Sequence, residues 1–257
     1  MNMQFPSALS IAGSDPSGGA GIQIDLKTFV HTKVWGMAVI TALTAQNSSR
    51  VTGSWPVEPD IVQKQLSTVL EDMTPGAVKT GMLANAQIIR AVSRTLPQDI
   101  PLVIDPVITS TSGYRLLDED AVQVMCETLI PFSHIITPNI PEAEILANMS
   151  ITTEDEMIEA GRRIIDIGAS RVIVKGGHGT GIHATDLLIS KHEIIRLTSK
   201  RQPYDVHGSG CSFSAAITGY IAGGCNTIES CEKAKELISN GISRAIFGKS
   251  GRRIINP

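Results

Sequence analysis

The sequence is short of several features, and each shortage removes a class of function. Its 257 residues hold only four cysteines, Cys126, Cys211, Cys225 and Cys231. None forms a C-x-x-C pair or falls into a regular spacing with the six histidines, which argues against a zinc centre or a disulfide framework. Basic clusters are also lacking: the net charge is −3, Lys and Arg are scattered, and Arg252-Arg253 is the one small knot. No electrostatic footprint for a nucleic-acid backbone is present. The opening MNMQFPSALSIAG has neither a cationic leader nor a long apolar run, so neither a signal peptide nor a membrane span is expected and the cytoplasm is the default. There is no P-loop either, because the single GKS, Gly248–Ser250, has Ser243 where the upstream glycine belongs.

What is present is the composition of a soluble enzyme, 42% hydrophobic and 18% charged, in a chain long enough for a sizeable core. Length alone allows one large domain or two small ones. With no internal repeat, low-complexity tract or linker, a single domain over 1–257 is expected. Short β-branched runs at 8–11, 37–43, 77–79, 102–104, 134–136 and 171–174 alternate with helical periods at 22–30, 61–70, 86–96, 121–129 and 154–167. This alternation predicts an α/β fold with a mostly parallel sheet covered on both faces. Runs at 186–189 and 193–197 predict an antiparallel hairpin added to that sheet, followed by helices over 211–222 and 227–247.

In such folds ligands bind beyond the C-terminal ends of the strands. The segments there are polar or glycine-rich. GSDPSGGAG (Gly13–Gly21) suits close backbone approach to a ligand, or simply helix–strand packing. KTGML places Lys79, and DPVITSTSG places Asp105, near a strand end, where either is a site residue or a surface ion pair or turn cap. NIPE reads first as a helix cap, with Asn139 capping and Glu142 in the first turn; the alternative is a pair organising hydrated Mg²⁺. VKGGH sets Lys175 after a strand, either solvated or touching phosphate. His178 and His207 raise the idea of a Cys–His pair with Cys211, but no orienting third group supports it. GSGC (Gly208–Cys211) offers successive N–H groups at a helix start, with Cys211 at the first helical position, where the helix dipole favours a thiolate. The plainer reading of that cysteine is packing.

Taken together, AGSDPSGGAGIQIDLKTF, VITALTAQN, KTGML, DPV, ITPNIPEAE, VKGGH and HGSGCSFSAA occur in an order that resembles the hydroxymethylpyrimidine and phosphomethylpyrimidine kinases of thiamine biosynthesis, a branch of the ribokinase-like superfamily. The resemblance spans nearly the whole chain. It implies a three-layer α/β/α sandwich and transfer of phosphate from ATP, with Mg²⁺, to 4-amino-5-hydroxymethyl-2-methylpyrimidine and then to its monophosphate. Pyridoxal kinase is the nearest alternative, and a homodimer is expected. It implies catalytic Gly208, Ser209, Gly210 and Cys211, with Cys211 standing where sugar kinases carry an aspartate base. Substrate contacts are implied for Gly13, Asp25, Thr44, Gln46 and Val107, Gln46 reading the pyrimidine. Lys175, Asn139 and Glu142 are implied on the nucleotide side, the last two meeting Mg²⁺ through water.

Overall fold

A computed structural model describes residues 5–109, 116–177 and 181–257. In chain order the elements are β1 (Ser7–Ala12), α1 (Gly21–His31), β2 (Trp35–Ile40), β3 (Ala42–Gln46), β4 (Val51–Pro56), α2 (Pro59–Asp72), β5 (Ala77–Thr80), α3 (Ala86–Thr95), β6 (Leu102–Ile104), α4 (Glu119–Thr128), β7 (Ile135–Ile136), α5 (Ile140–Ala147), α6 (Glu154–Ile167), β8 (Arg171–Val174), β9 (His183–Ser190), β10 (Ile194–Lys200), β11 (Val206–His207), α7 (Ser209–Ala222), α8 (Thr227–Ser243), β12 (Ile246–Phe247) and β13 (Arg253–Ile254).

Eight strands form the main sheet in the order β10-β9-β8-β7-β6-β5-β1-β2. It is parallel from β2 to β8, and β9 and β10 join as the expected antiparallel hairpin. Strand side chains alternate between two cores, as a period of two requires. Ile104, Ile136, Val172 and Val174 join α2 through α6 on one face. Val103, Ile135 and Ile173 join α1, α7 and α8 on the other. The result is a three-layer α/β/α sandwich, as the resemblance implied.

Three segments depart from the sequence reading. The run 37–43 breaks at Thr41, whose N–H donates to Ala12 O and whose Oγ1 donates to Met82 O, 2.6 Å away. The chain then leaves the main sheet as a separate antiparallel β3–β4 hairpin. The last helix stops at Ser243, because Ile246–Phe247 pairs with the C-terminal Arg253–Ile254. That strand in turn pairs with Val206–His207, which brings the chain end to the threshold of GSGC.

Candidate active site

The order in which the parallel strands are added reverses at β1, which has β2 on one side and β5 on the other. Loops from both directions therefore surround one cleft beyond the strand ends, of about 1230 Å³. Gly13, Thr44, Gln46, Val107, Asn139, Glu142, Lys175 and Gly208–Cys211 all border it. Val107 is notable among them for its backbone. Its φ of 41° is a left-handed conformation that a β-branched residue adopts only when its surroundings impose it. His178 and residues 110–113 of DPVITSTSG lie outside the described residues.

Gly208 is the N-cap of α7, at φ 84°, and a Cβ there would overlap the carbonyl oxygen of Gly19. Only glycine lets the GSGC turn and the glycine-rich loop after β1 meet backbone to backbone. With no side chain to cap it, the first turn of α7 presents its N–H groups to the cleft. The Lys175 ammonium stands beside this turn, 3.4 Å from where a Cβ on Gly210 would lie. Cation and helix dipole therefore converge on one spot, suited to an anion.

Beneath that spot lies a chain of charges. Lys175 Nζ is 3.2 Å from Asp105 Oδ1, and Ser214 Oγ donates to Asp105 Oδ2 at 3.3 Å. Burial by itself would lift the Asp105 carboxyl, but the Lys175 and Lys79 ammonium groups outweigh it and hold the pKa below the ordinary carboxylate range. The Cys211 thiol and the Asp105 carboxylate lie close enough to influence each other's ionisation. Lys175 stays charged against burial because Asp105 and Glu142 face it. Glu142 closes a capping box on α5: Asn139 N–H donates to its Oε2 and its own N–H donates to Asn139 Oδ1, each at 2.9 Å. The capping reading of NIPE is correct, and Ile108 N–H adds a third donor at 3.3 Å to Glu142 Oε1.

Two expectations require correction. Cys211 is the third residue of α7, and its environment opposes ionisation: burial foremost, then the Asp105 carboxylate, push the thiol up to about 12. This burial opposes the expected thiolate. Asp25, expected in the substrate pocket, is fully buried. Its Oδ2 is taken by Lys79 Nζ at 2.7 Å and Ser10 Oγ at 2.6 Å, and it does not border the cleft.

Sequence reasoning also missed the contacts of several bordering residues. His207 turns away from any role as a partner of Cys211 and reaches Asp15 and Gln46 instead. Asp186 accepts the N–H of Gly176 at 3.0 Å and Lys235 Nζ at 2.7 Å, tying the loop that carries Lys175 to α8. Asp15 lies within one glycine motif and His207 precedes the other, which was the available signal. Asp186 sits inside an apolar strand, and only its contacts reveal it.

Comparison with known proteins agrees with this architecture. The sequence profile described as phosphomethylpyrimidine kinase matches residues 15–256. A hydroxymethylpyrimidine/phosphomethylpyrimidine kinase of Bacillus subtilis is 41% identical over 256 residues, covering 97% of this chain and 92% of its own. Among solved structures, an ADP complex of a Bacillus subtilis pyridoxal kinase superposes with a TM-score of 0.91 at 36% identity, covering 98% of this chain and 97% of that one. A phosphomethylpyrimidine kinase of Clostridium difficile gives 0.81 at 42% identity, covering 92% and 99% respectively. With a family match over residues 15–256 and 41% identity across 97% of the chain, the chain belongs to the phosphomethylpyrimidine kinase family.

Proposed function

We propose that the chain, acting as one kinase domain over 1–257 in the cytoplasm, transfers the γ-phosphoryl group of ATP to the hydroxymethyl oxygen of 4-amino-5-hydroxymethyl-2-methylpyrimidine, and then phosphorylates the resulting monophosphate. The observation that carries this reading is the uncapped start of α7 with Lys175 beside it, in a cleft bordered by Gln46. Phosphoryl transfer needs alignment and charge stabilisation more than covalent help. The N–H groups of Ser209, Gly210 and Cys211 and the Lys175 ammonium supply that stabilisation. Gly13, Thr44, Gln46 and Val107 shape the pyrimidine pocket. The side-chain amide of Gln46 hydrogen-bonds the ring edge.

A thiol with a pKa of about 12 is not a competent base at neutral pH. In this reading Cys211 works as a relay. As the new P–O bond forms and the bond from the γ-phosphorus to ADP breaks, the alcohol proton passes to the Cys211 sulfur while the thiol proton passes to the neighbouring Asp105 carboxylate. The other end of Asp105 is neutralised by Lys175, so the carboxylate stays ionised and ready to accept.

Among the described residues no group of three His, Cys, Asp or Glu side chains is placed to cage a metal ion. The Asn139–Glu142 pair instead fits an ion held through water. Glu142 borders the cleft, and its oxygens, each accepting one backbone N–H, keep lone pairs for water. Mg²⁺ bound with ATP would there neutralise charge on the phosphates.

The exposed Leu43 and Trp55, opposite each other on β3 and β4, supply an apolar face for the homodimer in this proposal. Light scattering of the parent and of Trp55→Asp tests it, and a parent that runs as a monomer refutes it.

The functional test is a coupled assay of ADP release with the pyrimidine alcohol, its monophosphate and pyridoxal side by side. Turnover of the first two is expected. Because a pyridoxal kinase superposes so closely, turnover of pyridoxal alone would replace this reading with that activity. Gln46→Ala is expected to lower kcat/KM for the pyrimidine by about 1–3 kcal/mol, the cost of an unpaired buried polar group.

A further inference from the structure

One nitrogen of His207 faces two partners at once. His207 Nε2 is 3.3 Å from Asp15 Oδ2 and 3.3 Å from Gln46 Nε2, an amide end that exchanges with Oε1 by a half-turn of the side chain. All three residues border the cleft. Asp15 and His207 are held firmly in place. Asp15 Oδ1 accepts Ser17 N–H at 2.9 Å and Ser17 Oγ–H at 2.7 Å, and its own N–H donates to Gln23 Oε1 at 2.8 Å. His207 lies on β11, its carbonyl receiving Ile255 N–H at 3.0 Å, with its ring against Gly19.

A single imidazole nitrogen cannot donate to one group and accept from the other. Burial would raise the Asp15 carboxyl, but the hydrogen bonds from His207 and Ser17 prevail and hold it below the ordinary range. Asp15 is therefore a carboxylate, an acceptor only. Nε2 must carry the hydrogen and donate towards Asp15, since the other tautomer would aim a lone pair at the carboxylate. A Gln46 amide that turned its NH₂ to this nitrogen would then oppose donor to donor. Its Oε1 belongs there, sharing the Nε2 hydrogen, and its NH₂ group is left for the cleft.

We propose that His207, anchored by Asp15, is a positioning residue that fixes the polarity of the Gln46 amide, so that the site presents an N–H donor to the substrate ring and selects rings with an acceptor nitrogen at that edge. This rests on the reading of Gln46 as the ring contact. It extends that reading to the residues which decide how the contact is made. An amide free to rotate would serve a ring donor as readily as a ring acceptor. The Asp15–His207 pair removes that freedom before substrate arrives.

The test is a double-mutant cycle in kcat/KM for the pyrimidine alcohol at saturating MgATP, on the full-length protein. His207→Leu is expected to lower kcat/KM about tenfold, mainly through KM for the alcohol, and to leave KM for MgATP unchanged. His207→Gln, whose Nε2 can donate from a similar place, is expected to recover most of the loss. In a Gln46→Ala background, His207→Leu should add less than about twofold. Full additivity with Gln46→Ala, or a His207→Gln variant as poor as His207→Leu, overturns the inference while leaving the ring contact standing. A Gln46→Ala enzyme with parental kcat/KM overturns both. Should His207→Leu fail to fold, the cycle is run with His207→Gln and His207→Phe, and the same outcomes decide.

Discussion

Lys79 and Lys175 are both lysines at the end of a parallel strand, each paired with an aspartate from another element, yet the two pairs differ in what they can do. Lys79 and Asp25 are sealed, with 0% of either side chain exposed and 2.7 Å between Nζ and Oδ2. Lys175 and Asp105 are looser, at 3.2 Å, and Lys175 keeps 15% of its surface. A sealed pair can only fix α1 against β5; an open one can exchange its partner for a ligand. The two are also linked. Lys79 is held charged, although burial opposes it, by Asp25 first and by Asp105 among its other neighbours, so the sealed cation helps keep the open carboxylate ionised.

The largest effect expected on this comparison is on turnover. Asp105→Asn removes the proposed terminal proton acceptor and should lower kcat by on the order of 10²–10⁴, the usual contribution of a positioned base. If Cys211 and Asp105 act as one relay, Cys211→Ala added to Asp105→Asn should cost little more than the worse single change. Multiplying penalties would show that they act separately. A near-parental kcat for Asp105→Asn would reduce the open pair to the structural role of the sealed one.

The sealed pair should fail differently. Lys79→Met strands a buried carboxylate and is expected to destabilise the fold by about 3–5 kcal/mol in urea unfolding. Replacing both partners, as in Lys79→Met with Asp25→Leu, should return much of that loss, because an apolar pair of similar volume has no charges to desolvate. If the double variant folds well but turns over poorly, the sealed cation contributes to catalysis through Asp105 and the distinction between the pairs weakens.

Lys175→Ala should be milder. Loss of a charge-assisted hydrogen bond to phosphate costs about 1.5–3 kcal/mol, seen as a rise of roughly 10–100-fold in KM for ATP or a matching fall in kcat. Calorimetry should find binding of the pyrimidine alone nearly unchanged. Lost pyrimidine binding with normal ATP binding would contradict the placement of Lys175 on the phosphate side.

The contrast also explains how much the sequence could reveal. The mostly parallel sheet, the β9–β10 hairpin and the α5 cap were legible because each depends on local period or spacing: alternating apolar runs, and Asn139 three residues before Glu142. Asp25 was open to correction from the sequence itself. It shares a helix face with Ile22, Thr28 and Phe29, all buried, and a charge on that stripe must find a partner inside. The state of Cys211 was not open to such reading. The dipole of α7 is local, whereas Asp105 and the burial that raise the thiol come from β6 and the packed layers more than a hundred residues away. The break at Thr41 was hidden for a related reason, since 37–43 is continuously rich in apolar residues and only the bonds to Ala12 and Met82 divide it. Two-residue strands such as β11 and β13 carry no period at all.

The smallest predicted effect separates the pairs by acid. The native Asp105 pKa lies below the ordinary carboxylate value, so its ionisation stabilises the folded state. That contribution is complete above the unfolded value of about 3.9 and is lost as pH falls through the native pKa. Glu156 titrates in the same window, held down to about 2 by hydrogen bonds from Thr152 and Thr153, so an acid unfolding curve of the parent alone cannot isolate Asp105. The difference between parent and Asp105→Asn can. Measured by urea unfolding between pH 6 and pH 3, the gap in stability should be constant at the upper end and narrow below about pH 4. A gap that widens towards acid would mean that Asp105 holds its proton more tightly in the native state than when unfolded, against the Lys175 pairing that the relay relies on.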